Sequence, residues 1–178
     1  MGSVLVIGGG AAGLAAAIAA AECGDTVAVA EKMDRVGKKI LATGNGRCNL
    51  MNAGAPRYPG NAAFAADVLS HCGAEAQKAF WEHLGLRLRQ EEAGRVYPVS
   101  SQASSVLDAL RLQLTALHVR VVTGVSITAL QRENDGWTAL SADGQRFWAN
   151  RVIISGGGCA QPKLGSDGSA LRPVSYTH

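Results

Sequence analysis

Three glycines near the amino end, Gly8, Gly10 and Gly13, have the spacing G-x-G-x-x-G. In that pattern the first glycine permits a tight turn, the second lets the backbone approach a pyrophosphate, and the third lets a helix pack closely against a strand. The unpaired amides and the partial positive charge at the start of the helix attract the anion. The spacing therefore indicates dinucleotide binding, with a tight turn that binds nothing as the alternative for the hexapeptide alone.

An acidic residue, Glu31, lies about twenty residues beyond these glycines, at the interval where a carboxylate accepts hydrogen bonds from the ribose diol of a dinucleotide. A salt-bridged surface glutamate is the alternative for this residue alone. The glycines and the acid together favour a dinucleotide. An acid at this position also argues against a 2′-phosphate in the site.

A strand-helix-strand unit must position these groups. The apolar run Ser3 to Ile7 predicts a strand that is buried on both faces of a parallel sheet. The alanine-rich segment Ala11 to Cys23 predicts a helix ended by Gly24, and Asp25 to Ala30 predicts a second strand. In such a unit the carboxyl ends of both strands lie at the ligand-binding edge of the sheet.

Residue patterning predicts the other elements of the chain. Glycine and proline interrupt residues 33–60, so a long functional loop is expected there, with at most a turn at 36–42. Turn residues at 133–136 and 143–144 separate three short strands, which form a β-meander at about 124–150. The predicted helices are Asn61 to Cys72, Ala74 to Leu84 and Ser101 to Leu117. The other predicted strands are Arg87 to Gln90, Arg95 to Tyr97, Val119 to Val122 (buried), Val125 to Arg132, Gly136 to Ser141, Arg146 to Trp148 and Arg151 to Ser155.

The long loop contains basic residues where a nicotinamide-binding domain would continue into another helix and parallel strand. These residues are Lys32, Lys38, Lys39 and Arg47. With the β-meander, this arrangement resembles the FAD-binding proteins of the glutathione reductase-like superfamily. In that superfamily a strand of the type Val152 to Gly157 returns to the cofactor, and Ser155 here replaces a threonine or alanine.

A narrower resemblance is carried by Gly37 to Leu50, which reads GKKILATGNGRCNL. This segment resembles the signature of bacterial NAD(P)/FAD-dependent oxidoreductases of the BaiN-type, aminoacetone oxidase-like group. Gly94 to Pro98, Ser104 to Val106 and Pro162 to Gly168 are also similar to that group.

The resemblance implies an α/β fold, a Rossmann-like FAD-binding domain with a parallel sheet plus a three-stranded antiparallel β-meander. It implies bound FAD, with the pyrophosphate at the glycine turn, the ribose at Glu31, and the ribityl chain and flavin beside residues 37–49. The backbone of Ile127 is expected to contact the adenine. The implied cofactor-binding residues are Gly8, Gly10, Ala12, Gly13, Glu31, Lys32, Gly37, Lys39, Thr43, Gly44, Asn45, Arg47, Cys48, Asn49, Ile127, Ser155, Gly156 and Gly157.

The activity implied by the resemblance is that of an FAD-dependent oxidoreductase, whose flavin is reduced by NAD(P)H and reoxidised by an organic acceptor. Because the isoalloxazine does the chemistry in such enzymes, no side chain is assigned a catalytic role. The expected partner is a small-molecule substrate. The alternatives are a non-catalytic dinucleotide-binding module, an inactive truncated fragment, and a plain NAD-dependent dehydrogenase.

Length and family pattern bear on the domain organisation. The chain has 178 residues, enough for one full domain. Family members are more than twice as long, so we expect residues 1–170 to form an incomplete FAD-binding domain at the amino end of a longer protein. Residues 171–178 do not continue the family pattern and are expected to be a tail that need not be native.

Composition excludes several other classes. The net charge of +3, with 17% charged residues, lacks the dense basic stripe of a nucleic-acid binder. Glycines interrupt the uncharged segment from Val4 to Ala21, so a strand and helix are expected there rather than a membrane span.

The cysteines indicate a reducing compartment. Cys23, Cys48, Cys72 and Cys159 form no close pair, so neither a metal site nor a disulfide framework is predicted, and free thiols in the cytoplasm are expected. Cys48 in the signature loop is interpreted as a small buried side chain, with a redox thiol as the alternative.

Overall fold

The structure is a computed structural model that describes residues 1–54, 58 and 60–175. The chain divides into two compact units. The first unit consists of Met1–Lys39 and the chain from Leu110 onward, and the second consists of Ile40–Ala109. The prediction that residues 1–170 form one cofactor-binding domain stays a prediction.

The helices and strands are as follows. The strands are β1 (Ser3–Ile7), β2 (Thr26–Glu31), β3 (Met51–Asn52), β4 (Leu88–Gln90), β5 (Arg95–Pro98), β6 (Arg120–Thr123), β7 (Ile127–Glu133), β8 (Gly136–Ser141), β9 (Arg146–Ala149) and β10 (Arg151–Ile154). The α-helices are α1 (Ala11–Glu22), α2 (Lys38–Ala42), α3 (Ala62–His71), α4 (Ala74–His83), α5 (Ala103–Ala116) and α6 (Arg172–Ser175).

A four-stranded parallel sheet organises the first unit, in the order β10-β1-β2-β6. Ile7 at the end of β1 pairs with Ala30 on β2 and with Ile154 on β10, so the three carboxyl ends lie at one edge of the sheet. The predicted Rossmann-like α/β fold is confirmed by this sheet. Its carboxyl edge is where ligands bind in sheets of this kind.

The β-meander packs against this sheet. Strands β7, β8 and β9 form a three-stranded antiparallel sheet, as predicted. Ile127, Ala139 and Ala149 of the meander share a buried hydrophobic cluster with Leu5 and Ile7 of β1. Burying these side chains fixes the end of β1, and therefore the glycine turn that follows it.

Strand β6 differs from its prediction as a buried strand. Arg120 and Val121 are exposed, and β6 is an edge strand that pairs only with β2 within the described sheet. An apolar run of valines fits a buried strand and an edge strand equally well. Only the tertiary arrangement decides between them.

The second unit has its own antiparallel sheet, in the order β3-β5-β4, and the helices α3 and α4. The turn expected at 36–42 contains the short helix α2. The predicted loop was wrong at β3, because a two-residue strand is too short to leave a pattern in the sequence. Residues 55–57 and 59 of that loop lie outside the described part. Helix α5 begins in the second unit and ends in the first.

The tail also differs from its prediction. Residues 172–175 form the short helix α6, which lies next to β7, although no element was predicted there. Residues 176–178 lie outside the described part of the chain.

The apolar segment near the amino end is divided between β1 and α1 by the glycine turn, as predicted. Helix α1 has 12 residues, whereas a span needs about 20 apolar residues. Over residues 1–54, 58 and 60–175, no helix combines the length and apolar character needed to cross a bilayer.

Candidate cofactor-binding site

The glycine turn between β1 and α1 depends on close backbone contacts. Gly8 has a φ of +109°, and a Cβ there would lie 2.7 Å from the backbone of Gly156. A Cβ on Gly13 would lie 1.9 Å from the carbonyl oxygen of Gly8. The backbone N–H of Gly8 donates to the carbonyl of Ala30 at 2.8 Å. These two glycines are therefore required to bring α1, β2 and the end of β10 against the turn.

The amino end of α1 has no side-chain cap. Gly10 is the N-cap residue, and no side chain forms a hydrogen bond there. The N–H of Leu14 donates to the carbonyl of Gly10 at 2.9 Å, whereas the earlier amides of a helix have no acceptor within it. A Cβ on Gly10 would meet no atom within 4 Å, so this glycine faces open space. The arrangement leaves amide donors and a positive helix end for an anion.

The carboxylate of Glu31 is held beside this turn by two backbone amides. Its Oε2 accepts a hydrogen bond from the N–H of Gly9 at 2.6 Å, and its Oε1 accepts one from the N–H of Met33 at 2.7 Å. The residue is 9% exposed, unlike a salt-bridged surface glutamate. Each carboxylate oxygen keeps a further lone pair, so Glu31 can accept hydrogen bonds from a diol as well.

A cavity of about 270 Å³ lies at the carboxyl edge of the sheet, close to the lower end of the range for ligand sites. The predicted site residues that line it are Gly8, Gly10, Ala12, Glu31, Gly37, Lys39, Ser155, Gly156 and Gly157. Gly13 is buried behind the turn and is not among the lining residues. The structure thus brings together residues from β1, α1, β2 and β10 that are far apart in sequence.

A smaller cavity of about 40 Å³ shares part of the same lining. Gly8, Glu31 and Gly156 border both cavities, so the small one continues the large one past the acidic residue. The predicted residues Lys32 and Ile127 line the small cavity.

Basic side chains give the large cavity a positive character. Lys38 pairs with Asp34 at 2.7 Å, and this ammonium lowers the pKa of the Asp34 carboxyl. The Nζ of Lys39 donates instead to the neutral hydroxyl of Ser166 at 2.7 Å. The positive charge of Lys38 is therefore balanced by a carboxylate, whereas that of Lys39 has only a neutral partner here and can attract an anion. Arg35 also lines the cavity.

Ser155 has a structural contact that its sequence position did not reveal. Its hydroxyl lies 3.1 Å from the carbonyl oxygen of Ile7 and 3.0 Å from that of Gly8. A hydroxyl has one proton to donate, so it alternates between these two acceptors or is shared by them. Ser155 therefore ties the end of β10 to the glycine turn.

Lys32 connects β2 to the segment that follows β10. Its Nζ donates to Asp167 at 2.5 Å and to the hydroxyl of Ser169 at 2.9 Å. The Lys32 ammonium, together with Ser169, holds the pKa of Asp167 well below its usual range. This contact places Ser169 at the small cavity.

The remaining predicted site residues belong to the second unit. Thr43, Gly44, Asn45, Arg47, Cys48 and Asn49 follow α2 in sequence. Asn45 and Cys48 have φ values of 54° and 57°, a left-handed conformation that few non-glycine residues adopt. Backbone strain of this kind concentrates at functional sites, which makes the segment a candidate site without assigning it a ligand.

Arg47 is engaged by side chains of its own unit. Its guanidinium pairs with the Glu91 carboxylate at 2.5 Å and lies 4.1 Å from the centre of the Tyr97 ring. The Arg47 guanidinium, with that of Arg89, lowers the pKa of Glu91. These contacts attach the loop to β5 and to the turn before it.

Cys48 is buried, and burial raises the pKa of its thiol. A raised pKa lowers the thiolate fraction, so the contacts favour the packing interpretation over a redox thiol. Elsewhere in the described chain, Cys23, Cys72 and Cys159 are free and exposed. No three histidine, cysteine, aspartate or glutamate side chains among the described residues are grouped so that they could hold a metal ion.

Three further residues line the large cavity without having been predicted as site residues, namely Leu164, Gly165 and Ser166. They belong to the segment Pro162 to Gly168, which carried part of the family resemblance. That resemblance was the sequence signal that could have placed these residues in the site. The segment lies beside the glycine turn only because of the path that the chain takes after β10.

Comparison with known proteins identifies the family. The profile of the HI0933-like protein Rossmann domain matches residues 2–175. The 3-dehydro-bile acid delta(4,6)-reductase of Clostridium scindens is 47% identical over 174 residues, which cover 95% of this chain and 42% of the reductase. The ribosomal RNA dihydrouridine synthase of Escherichia coli is 24% identical over 91% of this chain and 41% of the synthase. The chain thus spans less than half the length of these curated relatives.

Solved structures show the same fold. THI4 of Thermovibrio ammonificans has a TM-score of 0.61 at 16% identity, over 92% of this chain and 62% of that protein. NikD, an amino acid oxidase of nikkomycin biosynthesis, has a TM-score of 0.50 at 19% identity, over 97% and 54% of the two chains. At these identities the likeness shows the fold alone. The family profile covers nearly the whole chain, and the chain therefore belongs to the HI0933-like protein family, within its Rossmann domain.

Proposed function

We propose that this chain is the FAD-binding part of an FAD-dependent oxidoreductase. The observation that carries the proposal is the cavity at the carboxyl edge of the parallel sheet. There the uncapped amino end of α1, the Lys39 ammonium and the carboxylate of Glu31 border one space. The amide donors and the oriented carboxylate are the groups that bind a diphosphate flanked by a ribose, and the cation adds attraction for its charge.

The residues of the first unit fit the adenosine diphosphate half of FAD. The amides at the start of α1, with Gly10 facing open space, would hold the diphosphate, and Glu31 would accept hydrogen bonds from the ribose. The adenine would lie at the small cavity, beside Ile127 and Lys32. Gly13 would act through packing, because its place behind the turn keeps the helix close to β1.

The contribution of the second unit is proposed from the family resemblance. Thr43, Gly44, Asn45, Arg47, Cys48 and Asn49 would lie beside the ribityl chain and flavin. The left-handed backbone at Asn45 and Cys48 supports a functional role for this segment. The contacts of Arg47 with Glu91 and Tyr97 favour an indirect role for this residue, in which it holds the loop in shape.

When bound, FAD would supply the electron transfer, taking a hydride from NAD(P)H and passing electrons to an organic acceptor. The chain's own residues would bind the cofactor, orient it and keep it in place. The reductase that is 47% identical to this chain supports a reducing role with a small organic substrate. The expected location is the cytoplasm.

The test begins with the whole chain of 178 residues. The purified protein is incubated with FAD, passed through a desalting column and examined for bound flavin by its visible absorbance. NADH or NADPH is then added without oxygen, and we expect retained flavin that is bleached by one of them. A protein that retains nicotinamide nucleotide but no FAD would contradict the proposal. Bound FAD that neither nucleotide reduces would favour the non-catalytic dinucleotide-binding module.

A further inference from the structure

Ser166 is a buried polar residue at the large cavity, and its position is fixed from several sides. The residue is 4% exposed, and a Cβ on Gly157 would lie 2.8 Å from its hydroxyl oxygen. Its backbone pairs with that of Gln161 through two hydrogen bonds of 3.1 and 3.3 Å. The hydroxyl oxygen accepts a hydrogen bond from the Nζ of Lys39 at 2.7 Å.

The contact with Lys39 determines whether the Ser166 hydroxyl acts as a hydrogen-bond donor or acceptor. An ammonium group has only donors, so the Ser166 oxygen must be the acceptor in this pair. The single hydroxyl proton is then available for a different acceptor. Among the side-chain hydrogen bonds of the described residues, none has the Ser166 hydroxyl as its donor.

A second lysine-serine pair in the same unit provides a contrast. Lys32 donates to the hydroxyl of Ser169 at 2.9 Å, as Lys39 does to that of Ser166. Beside Ser169, however, lies the Asp167 carboxylate, which accepts a hydrogen bond from the backbone N–H of Ser169 at 3.0 Å. The Ser169 side chain also helps to lower the pKa of that carboxyl. Ser169 therefore has a carboxylate beside it, whereas no carboxylate among the described residues forms a hydrogen bond with the Ser166 hydroxyl.

We propose that Ser166 is a further ligand of the cofactor diphosphate, donating its hydroxyl proton to a phosphate oxygen, and that Lys39 is the positioning residue that keeps it a donor. The acceptor must be an oxygen with negative charge, because the same cavity also presents the Lys39 ammonium and the amino end of α1. The inference rests on the proposed function and adds a residue and a role to it.

The experiment measures binding of FAD, ADP and adenosine to the whole chain by calorimetry. We expect Ser166→Ala to weaken FAD and ADP binding by about tenfold each, because one hydrogen bond to a charged group is lost. Adenosine has no phosphate, so its binding should not change. Ser141→Ala removes another buried serine hydroxyl, at the end of β8 and outside both cavities, and should leave all three affinities unchanged.

The role of Lys39 is tested by a double-mutant cycle. In the Lys39→Met background, Ser166→Ala should cost clearly less than tenfold, because the hydroxyl is no longer held as a donor. If the alanine variant does not fold, Ser166→Cys replaces it, because cysteine is of similar size but is a weak hydrogen-bond donor. The expected loss of ADP affinity is then again about tenfold. An equal cost of Ser166→Ala in both backgrounds would overturn the positioning role.

Two results would overturn the role of Ser166 itself. One is wild-type affinity of Ser166→Ala for ADP and FAD, which would leave the FAD proposal intact. The other is an equal loss for adenosine, which would indicate a packing role. Binding of ADP but not FAD to the wild type would contradict the proposed function. In that case, a loss of affinity for ADP but not for adenosine in Ser166→Ala would still support the diphosphate contact. Binding of neither nucleotide would overturn both.

Discussion

At the scale of single residues, the glycines of the turn have two distinct physical roles. Gly13 is needed for folding, because a side chain there would overlap the carbonyl oxygen of Gly8. Gly10 is not crowded by the protein, since a Cβ would meet nothing within 4 Å. The G-x-G-x-x-G spacing predicts both positions, but only the structure separates the packing glycine from the one that faces the open cavity.

A matched pair of variants tests this separation. Gly13→Ala should lower the free energy of unfolding by about 3 kcal/mol or more, because the overlap is with backbone atoms that cannot move aside. Gly10→Ala should change it by less than about 1 kcal/mol, because a poorer cap is offset by a stiffer unfolded chain. The measurement is urea unfolding without ligand, followed by FAD titration of Gly10→Ala, which should bind about tenfold more weakly or worse. Wild-type FAD affinity of Gly10→Ala would contradict the assignment of the diphosphate.

Glu31 leads to a second prediction at this scale. A glutamine has one carbonyl oxygen, so Glu31→Gln would leave the N–H of Gly9 or that of Met33 facing an amide NH₂. We expect a loss of about 1–3 kcal/mol in unfolding free energy and a weaker preference for ADP over its 2′-phosphorylated analogue. Unfolding curves and competition against bound FAD measure the two effects, with the exposed Glu75→Gln as control. An unchanged preference would show that Glu31 does not face the 2′-hydroxyl.

At the scale of elements, the sequence predicts the unit β1-α1-β2 to within one residue at each end, because glycine boundaries and apolar runs are local signals. Strand β3 and the edge position of β6 could not be predicted, since they depend on partners distant in sequence. Ser166 could not be predicted as a site residue for the same reason, because it reaches the site only where the chain after β10 returns to the glycine turn.

The contact of Arg47 with Glu91 also joins elements, because it attaches the loop after α2 to the region between β4 and β5. The folded pKa of Glu91 is lowered, so its contribution to stability is present above the unfolded value of about 4.5 and is lost as the pH falls below it. The unfolding temperature of the wild type should therefore exceed that of Glu91→Gln at neutral pH, and the difference should shrink below pH of about 4. A difference that is constant across this range would show that the ion pair does not stabilise the loop.

At the scale of the whole molecule, two compact units carry different parts of the predicted site. The first unit has a bordered cavity, whereas the loop of residues 43–49 in the second unit is a candidate only through its strained backbone and the family resemblance. ADP lacks the riboflavin half of FAD. Comparing amide hydrogen exchange with ADP bound and with FAD bound therefore tests the diphosphate assignment of the cavity separately from the flavin assignment of residues 43–49. A ligand at 100 times its Kd stabilises the folded chain by about 2.7 kcal/mol, enough to slow exchange at the amides that open with the site.

We expect ADP to protect the amides of residues 8–12 and 155–157, because these border the proposed diphosphate cavity. FAD should protect the same amides and, in addition, those of residues 43–49. The sheet of β3, β4 and β5 provides the internal reference, since its amides are bonded within the unit in either case. Equal protection by ADP and FAD throughout residues 43–49 would contradict a flavin contact in that loop while leaving the adenosine diphosphate site supported. Protection of that loop by FAD alone is the result that the proposed division of the cofactor requires.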